Sequence, residues 1–326
     1  MIATESAVLD FIDNHPPAGD FRADVLAGLA SHPKRLSPKY FYDKTGSELF
    51  DRITGLAEYY PTRTEIGILQ RNVDQIAALA GESPLLIEYG SGSSQKIRIL
   101  LDALSGHDVR YVAIDISRDH LLESTASLSE EFPQTAVYAV CADYSRPYPL
   151  PSGALENAGR RVAFFPGSTI GNFSPSEALA FLRNTAETLE PGGALLIGAD
   201  LDKDKRILEA AYDDSEGVTA EFNLNLLTRI NRELDADFDL SRFEHRVIYD
   251  TRARRIEMHL VSGEPQRVRV GEATFGFERG ETIHTENSHK FTVEGFQEMA
   301  RAAGFEPGPV WTDPDDLFSL HWLNVR

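Results

Sequence analysis

Residues 83–96 read SPLLIEYGSGSSQK. An apolar run, Leu85-Leu86-Ile87, leads into an acid, Glu88. Two glycines one residue apart follow, Gly90 and Gly92, ahead of Lys96. A short apolar run bounded by turn residues reads as a buried strand. Glycine just beyond such a strand lets the backbone come close to a ligand. Further apolar runs recur downstream: VRYVAID (109–115), TAVYAVCAD (135–143), RVAFFPG (161–167) and ALLIGAD (194–200). Stretches of helical spacing separate them: SQKIRILLDALS (94–105), RDHLLESTASLSEEF (118–132) and SPSEALAFLRNTAETL (174–189). Buried strands alternating with helices predict an α/β fold, a doubly wound parallel sheet covered on both faces. Ser174-Pro175-Ser176-Glu177 predicts a sharp helix start, with a cap, a proline at the first helical position and a capping-box acid.

The flanks read differently. The first part is helix and loop, with helical spacing in VLAGLASH (25–32) and TEIGILQRNVDQIAALA (64–80); Thr62 and Glu65 form a capping-box pattern that would start the second. Residues 36–63 between them are dense in aromatics. Residues 201–290 carry two helical stretches, KDKRILEAAYDD and VTAEFNLNLLTRINREL. They also carry three stretches of alternating strand, RVIYDTRARRIEMHLVSG, QRVRVGEATFGFERG and IHTENSHKF. This is an insertion of different architecture. The tail returns to helix at TVEGFQEMARAAG, and GPVWTD and LFSLHWLNVR would complete the first sheet.

Composition sets limits. The chain has 326 residues, 42% of them apolar, enough for a sizeable core. No run approaches the ~18 apolar residues of a membrane span. The first 17 residues, MIATESAVLDFIDNHPP, hold three acids and no Lys or Arg and do not read as a signal peptide. One cysteine, Cys141, allows no internal disulfide and reads as a small buried side chain. The expected location is the cytoplasm. A net charge of −19 disfavours phosphate backbones, so a small-molecule substrate is expected and no nucleic-acid partner; no membrane partner is expected either, and the protein is expected to be a monomer.

The opening stretch also excludes ligands. A dinucleotide loop wants G-x-G-x-x-G, and the third glycine position is Gln95. Phosphate-loop spacing before Lys96 is absent as well. A ligand with hydroxyls and amines but no phosphate needs acceptors, and S-adenosylmethionine is such a ligand. Glu88 precedes the glycines, Asp115 ends the second run and could accept from both ribose hydroxyls, and Asp143 ends the third and could accept from the adenine amine.

With these residues in view, the chain resembles the histidine-specific methyltransferases of ergothioneine biosynthesis, the L-histidine Nα-methyltransferases. The segments that carry the resemblance are KYFYDKTGSELFDRIT, EYYPTRTE, EYGSGSSQK, GSTIGNFSP, YDDSEGVTAEFN, NRELDADFDL, RIEMHL and TENSHKF, spread over nearly the whole length. The resemblance implies a class I, Rossmann-like methyltransferase core over residues 64–201 and 291–326, and an α+β substrate domain over 10–63 and 202–290. It implies S-adenosyl-L-methionine as methyl donor, held by Glu88, Gly90, Lys96, Asp115, Asp143, Tyr144 and Gly167. It implies an amino acid pocket of Tyr42, Tyr59, Asn172, Tyr212, Met258, Glu286 and Ser288, with Tyr42 and Asn172 nearest the chemistry. Asn172 and Tyr212 would hold the α-carboxylate, and Glu286 and Ser288 the imidazole. The product would be the trimethylated betaine, hercynine.

The last pair also has a physical logic. Residues two apart on a strand share a face. A neutral imidazole offers one N–H and one bare nitrogen, which a carboxylate and a hydroxyl satisfy respectively. His284 and His289, on either side, are expected on opposite faces and no metal is expected there. The rival readings are a methyltransferase for an indole-bearing amino acid and a protein that binds S-adenosylmethionine without turnover.

Overall fold

The computed structural model describes residues 10–14, 19–92 and 95–326. The signal-peptide reading falls largely on residues outside this set, as do Ser93 and Ser94 of the opening stretch. The strands are β1 (Asp10–Asn14), β2 (Lys34–Arg35), β3 (Leu85–Tyr89), β4 (Arg110–Asp115), β5 (Ala136–Ala142), β6 (Arg161–Phe165), β7 (Ala194–Asp200), β8 (Phe243–Asp250), β9 (Arg255–Ser262), β10 (Gln266–Val270), β11 (Ala273–Phe277), β12 (Thr282–His289), β13 (Phe305–Thr312) and β14 (Phe318–Val325). The helices are α1 (Gly19–Ala30), α2 (Lys44–Thr54), α3 (Tyr60–Ala80), α4 (Gln95–Ala103), α5 (Arg118–Glu131), α6 (Ser152–Leu155), α7 (Pro175–Leu189), α8 (Lys205–Tyr212), α9 (Val218–Leu234) and α10 (Val293–Ala302). They group into two compact units, one of residues 10–14, 61–201 and 291–326, the other of 19–60 and 202–290.

The first unit is built on a sheet of order β1-β5-β4-β3-β6-β7-β14-β13. Its strands run parallel from β1 to β7, and β14 and β13 close it antiparallel. From β3 the chain winds outward through β4 to β5, then returns to the other side of β3 as β6 and β7. This is the doubly wound class I methyltransferase order, and its switch point lies between β3 and β6, where ligands bind beyond the strand ends. Both sheet faces are covered. Ile68, Leu69 and Ile76 of α3 pack with Leu86, Tyr111 and Trp322 on one side. Phe181 and Leu182 of α7 pack with Phe165 and Tyr89 on the other. The capping box at Ser174 and Glu177 forms as the sequence predicts, with Pro175 in the first turn.

Two expectations are corrected here. Residues 10–14 are not helix or loop but a strand parallel to β5, so they group with this sheet. Five residues with two apolar ones are too few to show a period, and the partner strand supplies what the pattern lacks. Thr62 does not cap α3, which starts two residues earlier at Tyr60. The carboxylate of Glu65 turns inward, to Lys96 Nζ and the Gly167 N–H.

The second unit contains a four-stranded sheet of order β2-β12-β9-β8 and a β10-β11 hairpin. The β12–β9 ladder is antiparallel, with one register shift between His284 and Glu286.

Glu88 lies inside β3 rather than beyond its end and is 2% exposed. Its Oε2 accepts from the Tyr111 hydroxyl at 2.5 Å. Burial pushes its carboxyl up to about 8, against the pull of Tyr111 and Lys96. A carboxyl whose folded pKa is raised contributes stability present below its ordinary 4.5 and lost as pH rises through about 8. Gln in its place keeps an acceptor for Tyr111 and cannot ionise. Relative to wild type, Glu88→Gln should therefore be more stable at pH 9 than at pH 5, by ~1 kcal/mol or more, about 2–4 °C in midpoint. Thermal melts of the ligand-free protein at the two pH values check this, and equal offsets would rule out a buried ionisation at Glu88.

Candidate active site

In the first unit the candidate cofactor residues cluster at the carboxyl ends of adjacent strands. β5, β4 and β3 are neighbours, so Asp143, Asp115 and Gly90 stand in a row. Each aspartate is held by a local turn. Asp115 Oδ1 accepts from the Ser117 N–H at 2.8 Å, and Asp143 Oδ1 accepts from the Ser145 N–H at 3.0 Å and its hydroxyl at 2.5 Å. Such turns fix the carboxylate's direction before any ligand arrives. Burial raises the Asp115 carboxyl, while the N–H groups of Ser117, Gly92 and Ile116 and the nearby His120 pull it back. Gly90 has φ +71°, and a Cβ there would stand 4.0 Å from the Tyr144 hydroxyl. The left-handed backbone, more than crowding, calls for glycine. Tyr144 sits against Tyr89, Phe165 and Phe181, with its hydroxyl toward Gly90. Acceptors without a phosphate cradle fit the hydroxyls and amines of S-adenosylmethionine.

Glu65 is a residue that the sequence reading missed. It is fully buried on α3, pairs with Lys96 Nζ and accepts from the Gly167 N–H at 2.8 Å. Its other oxygen faces Gly198, where a Cβ would lie 2.2 Å away. One carboxylate thus ties α3, the start of α4 and the turn after β6. That turn is strained: Gly167 has φ +79° and Ser168 φ +56°, a region few non-glycine residues adopt. It is pinned again where Ser168 Oγ accepts from the Asp200 N–H at 2.8 Å. Asn172 ends the short 3-10 turn that follows, Thr169–Asn172. Its amide makes no hydrogen bond among the described residues, and the cap of α7 is Ser174 instead. The signal for Glu65 was an acid on the apolar face of α3, which resembled a cap.

In the second unit Tyr42, Tyr59, Tyr212, Met258 and Glu286 line one cavity, with Phe50, Ile53 and Phe222 among its apolar walls. Tyr42 follows a short 3-10 turn and meets Phe50 and Phe222 edge-on. Its neighbour Asp43 anchors it. Asp43 caps α2 through the Gly46 N–H at 2.8 Å and takes bonds from Asn225 at 2.9 Å and Arg232 at 2.7 Å on α9. Burial opposes its charge, yet these partners hold its carboxyl below the ordinary range. The Tyr59 and Tyr212 rings meet edge-on at 6.2 Å.

The register shift in β12 decides what faces the cavity. Glu286 pairs with Met258 and Ser288 with Ile256, so these share a face. His284 pairs with His259, Asn287 with Glu257 and His289 with Arg255, so these share the other. His284 and His289 therefore lie on the same face, not opposite ones. Simple alternation fails because the extra residue, Thr285, turns the strand by one position. On that face Glu257, His259 and His284 hold ligand atoms within 4.8 Å of one another. Arg255 already supplies the positive charge to Glu257, so the group reads as a hydrogen-bonded ladder.

Glu286 makes no side-chain hydrogen bond among the described residues. Burial pushes its carboxyl up to about 7, with Lys290 pulling it down. Ser288 is buried and accepts from the Tyr212 hydroxyl and from Lys290 Nζ, each at 2.8 Å. Lys290 Nζ also donates to the Tyr212 hydroxyl at 3.1 Å. Lys290 was not anticipated, and Tyr212 is engaged with Ser288 rather than standing apart from it.

Residues 21–325 match the family described as histidine-specific methyltransferase, SAM-dependent. A histidine N-alpha-methyltransferase of Mycolicibacterium smegmatis is 45% identical over 94% of this chain and 94% of its own. One of Mycobacterium tuberculosis is 44% identical over 92% and 93%. Ergothioneine biosynthesis protein 1 of Neurospora crassa is 32% identical over 89% of this chain and 33% of its own.

Asp115→Ala should weaken S-adenosylmethionine binding by ~1–3 kcal/mol, through loss of a buried acceptor for hydroxyls. Calorimetric titration of the folded variant reads this directly, and unchanged affinity would remove Asp115 from the ribose.

Proposed function

The chain belongs to the histidine-specific, S-adenosylmethionine-dependent methyltransferase family, and we propose that it transfers three methyl groups to the α-amine of L-histidine, giving hercynine on the route to ergothioneine. The observation that carries the substrate is the cavity of the second unit. Its lining holds three tyrosines and a single charged side chain, Glu286, with the Ser288 hydroxyl next on the same strand face. An imidazole matches that pair. Its N–H meets an acceptor, and its bare nitrogen meets a donor. An amino acid without those nitrogens would leave Glu286 or Ser288 desolvated and unpaired, which is how such a site rejects it. Among the described residues, no helix is long and apolar enough to cross a membrane. The reading carries with it a cytoplasmic monomer.

When bound, the cofactor supplies an electrophilic methyl group on a sulfonium. The chain's residues hold the acceptor. Asn172, on its pinned turn, is assigned to the α-carboxylate. Tyr42 and Tyr59 are assigned to the amine, which must be neutral to act as nucleophile. Their hydroxyls can bond it while N–H groups remain, and their ring faces tolerate growing positive charge. Rate then rests mainly on alignment. Tyr212, whose hydroxyl donates to Ser288 in the absence of substrate, is assigned with Asn172 to the α-carboxylate and borders the ring-reading pair.

Mass spectrometry of the products from histidine, its mono- and dimethylated forms and tryptophan tests the reading. Trimethylhistidine as the end product is expected; methylation of tryptophan in preference would make this an indole-directed enzyme, and no product from either would leave only cofactor binding. Glu286→Ala should raise KM for histidine and narrow its advantage over tryptophan in kcat/KM. A full retained preference would mean Glu286 does not read the ring.

Asn172→Ala should lower kcat/KM for histidine, monomethylhistidine and dimethylhistidine by comparable factors, about tenfold per ~1.4 kcal/mol lost. The carboxylate is the same in all three. A defect confined to unmethylated histidine would move Asn172 to the amine.

A further inference from the structure

An ammonium group has three N–H donors and no acceptor. Lys290 is 4% exposed, and its Nζ donates to both Ser288 Oγ, at 2.8 Å, and the Tyr212 hydroxyl, at 3.1 Å. Tyr212 has one proton and gives it to Ser288 Oγ, at 2.8 Å. Ser288 Oγ thus accepts twice, which uses both of its lone pairs. Its own hydrogen is left for an acceptor that is neither Lys290 nor Tyr212. A serine hydroxyl usually donates or accepts according to its ligand; this one has had its direction chosen.

We propose that Lys290 is a positioning residue for substrate selection, fixing Ser288 as a hydrogen-bond donor so that the site demands a ring with a bare nitrogen. The inference rests on the histidine reading above and deepens it. Glu286 lies on the same strand face as Ser288, lines the cavity and carries no hydrogen of its own when ionised. The two neighbours therefore present opposite polarities, an acceptor and a locked donor. That fits the neutral imidazole in one orientation and opposes an imidazolium, whose two N–H groups would set a hydrogen against the Ser288 hydrogen. Lys290 adds its positive charge to the same discrimination. A lysine ammonium and an arginine guanidinium donate without accepting, and at this position a residue with no such donor would let Ser288 rotate.

The test is a ratio. Pyridylalanine and phenylalanine differ at one ring position, a bare nitrogen against a C–H, and neither has a ring N–H for Glu286. Their inhibition constants against histidine methylation are measured at pH 8. Wild type should favour the pyridyl compound by about tenfold, the worth of one good hydrogen bond. Lys290→Met and Ser288→Ala should each bring the ratio toward one, whereas Lys290→Arg, still a donor-only cation, should keep it. General loosening of the site would weaken both compounds together and leave the ratio unchanged. A wild-type ratio near one, inhibition by neither compound, or a ratio unaltered in Lys290→Met overturns the proposal. Folding of each variant is checked by circular dichroism and by S-adenosylmethionine affinity. Should Lys290→Met not fold, Tyr212→Phe withdraws the other donor to Ser288 and must lower the ratio instead. A wild-type protein that does not methylate histidine would count against the proposed function itself, and is seen before any analogue is added.

Discussion

Antiparallel pairing of β12 with β9 is interrupted once, at Thr285, and the residues that face the cavity of the second unit follow from that interruption. Side chains alternate along a strand, so one extra residue reverses every assignment beyond it. Ile283 and Leu260 face one way before the shift; Glu286, Met258, Ser288 and Ile256 continue that face after it. Without the shift, Glu286 would fall with His284 and His259 and leave the cavity. A bulge costs ladder bonds, and here side chains replace them. Thr285 Oγ1 donates to the Met258 carbonyl at 3.1 Å, and His284 Nε2 lies 2.9 Å from the Glu286 carbonyl. The carbonyls around the irregularity are therefore satisfied, as buried backbone must be.

The first unit solves a different problem by the same economy of side chains. A parallel sheet delivers strand ends in a row but says nothing of the loops beyond them. Those loops are held by carboxylates that act on backbone N–H groups: Asp115 on Ser117, Asp143 on Ser145, and Glu65 on Gly167. Glu65 reaches furthest. It neutralises Lys96 and fixes a turn with two consecutive left-handed residues, and it fits only because residue 198 is glycine. A strained turn persists when its surroundings over-determine it, and this one is tied on both sides.

These distinctions explain what was legible in the sequence. The five buried parallel strands and their helices were readable because burial on both faces leaves uninterrupted apolar runs. The Ser174 start was readable because cap, proline and acid all lie within four residues. The strand β1 was not, since its evidence is its partner β5 and not its own composition. Glu65 was misread for a related reason. A local pattern suggested a cap, whereas its partners Lys96 and Gly167 lie 31 and 102 residues away. The two histidines were misplaced because a bulge has no sequence signature here. Lys290 went unnoticed because its meaning depends on Tyr212, 78 residues upstream. What the sequence hides are relations over long separations; the candidate residues themselves were recognisable by type.

The proposed chemistry asks for recognition that does not change while the substrate does. Over three transfers the amine loses its N–H groups and gains a permanent charge. Any residue that bonds those hydrogens weakens its own hold at each stage. The ring and the carboxylate are untouched, so affinity placed there serves every intermediate equally. On the proposed reading, Glu286, the one charged lining residue among those described, and the Ser288 hydroxyl serve the ring, and aromatic faces serve the rest. The tyrosines then have a role that shifts with the reaction. Their hydroxyls suit the early amine, and their faces suit the late ammonium. Charge placement is consistent with this division. Glu286 is assigned to the ring in the proposed reading; burial pushes its carboxyl up to about 7, and the pull of Lys290 favours its ionised, accepting form. An acid sited at the amine would bind the charged product more tightly with each methyl and slow its release; tyrosine faces stabilise the same charge more weakly.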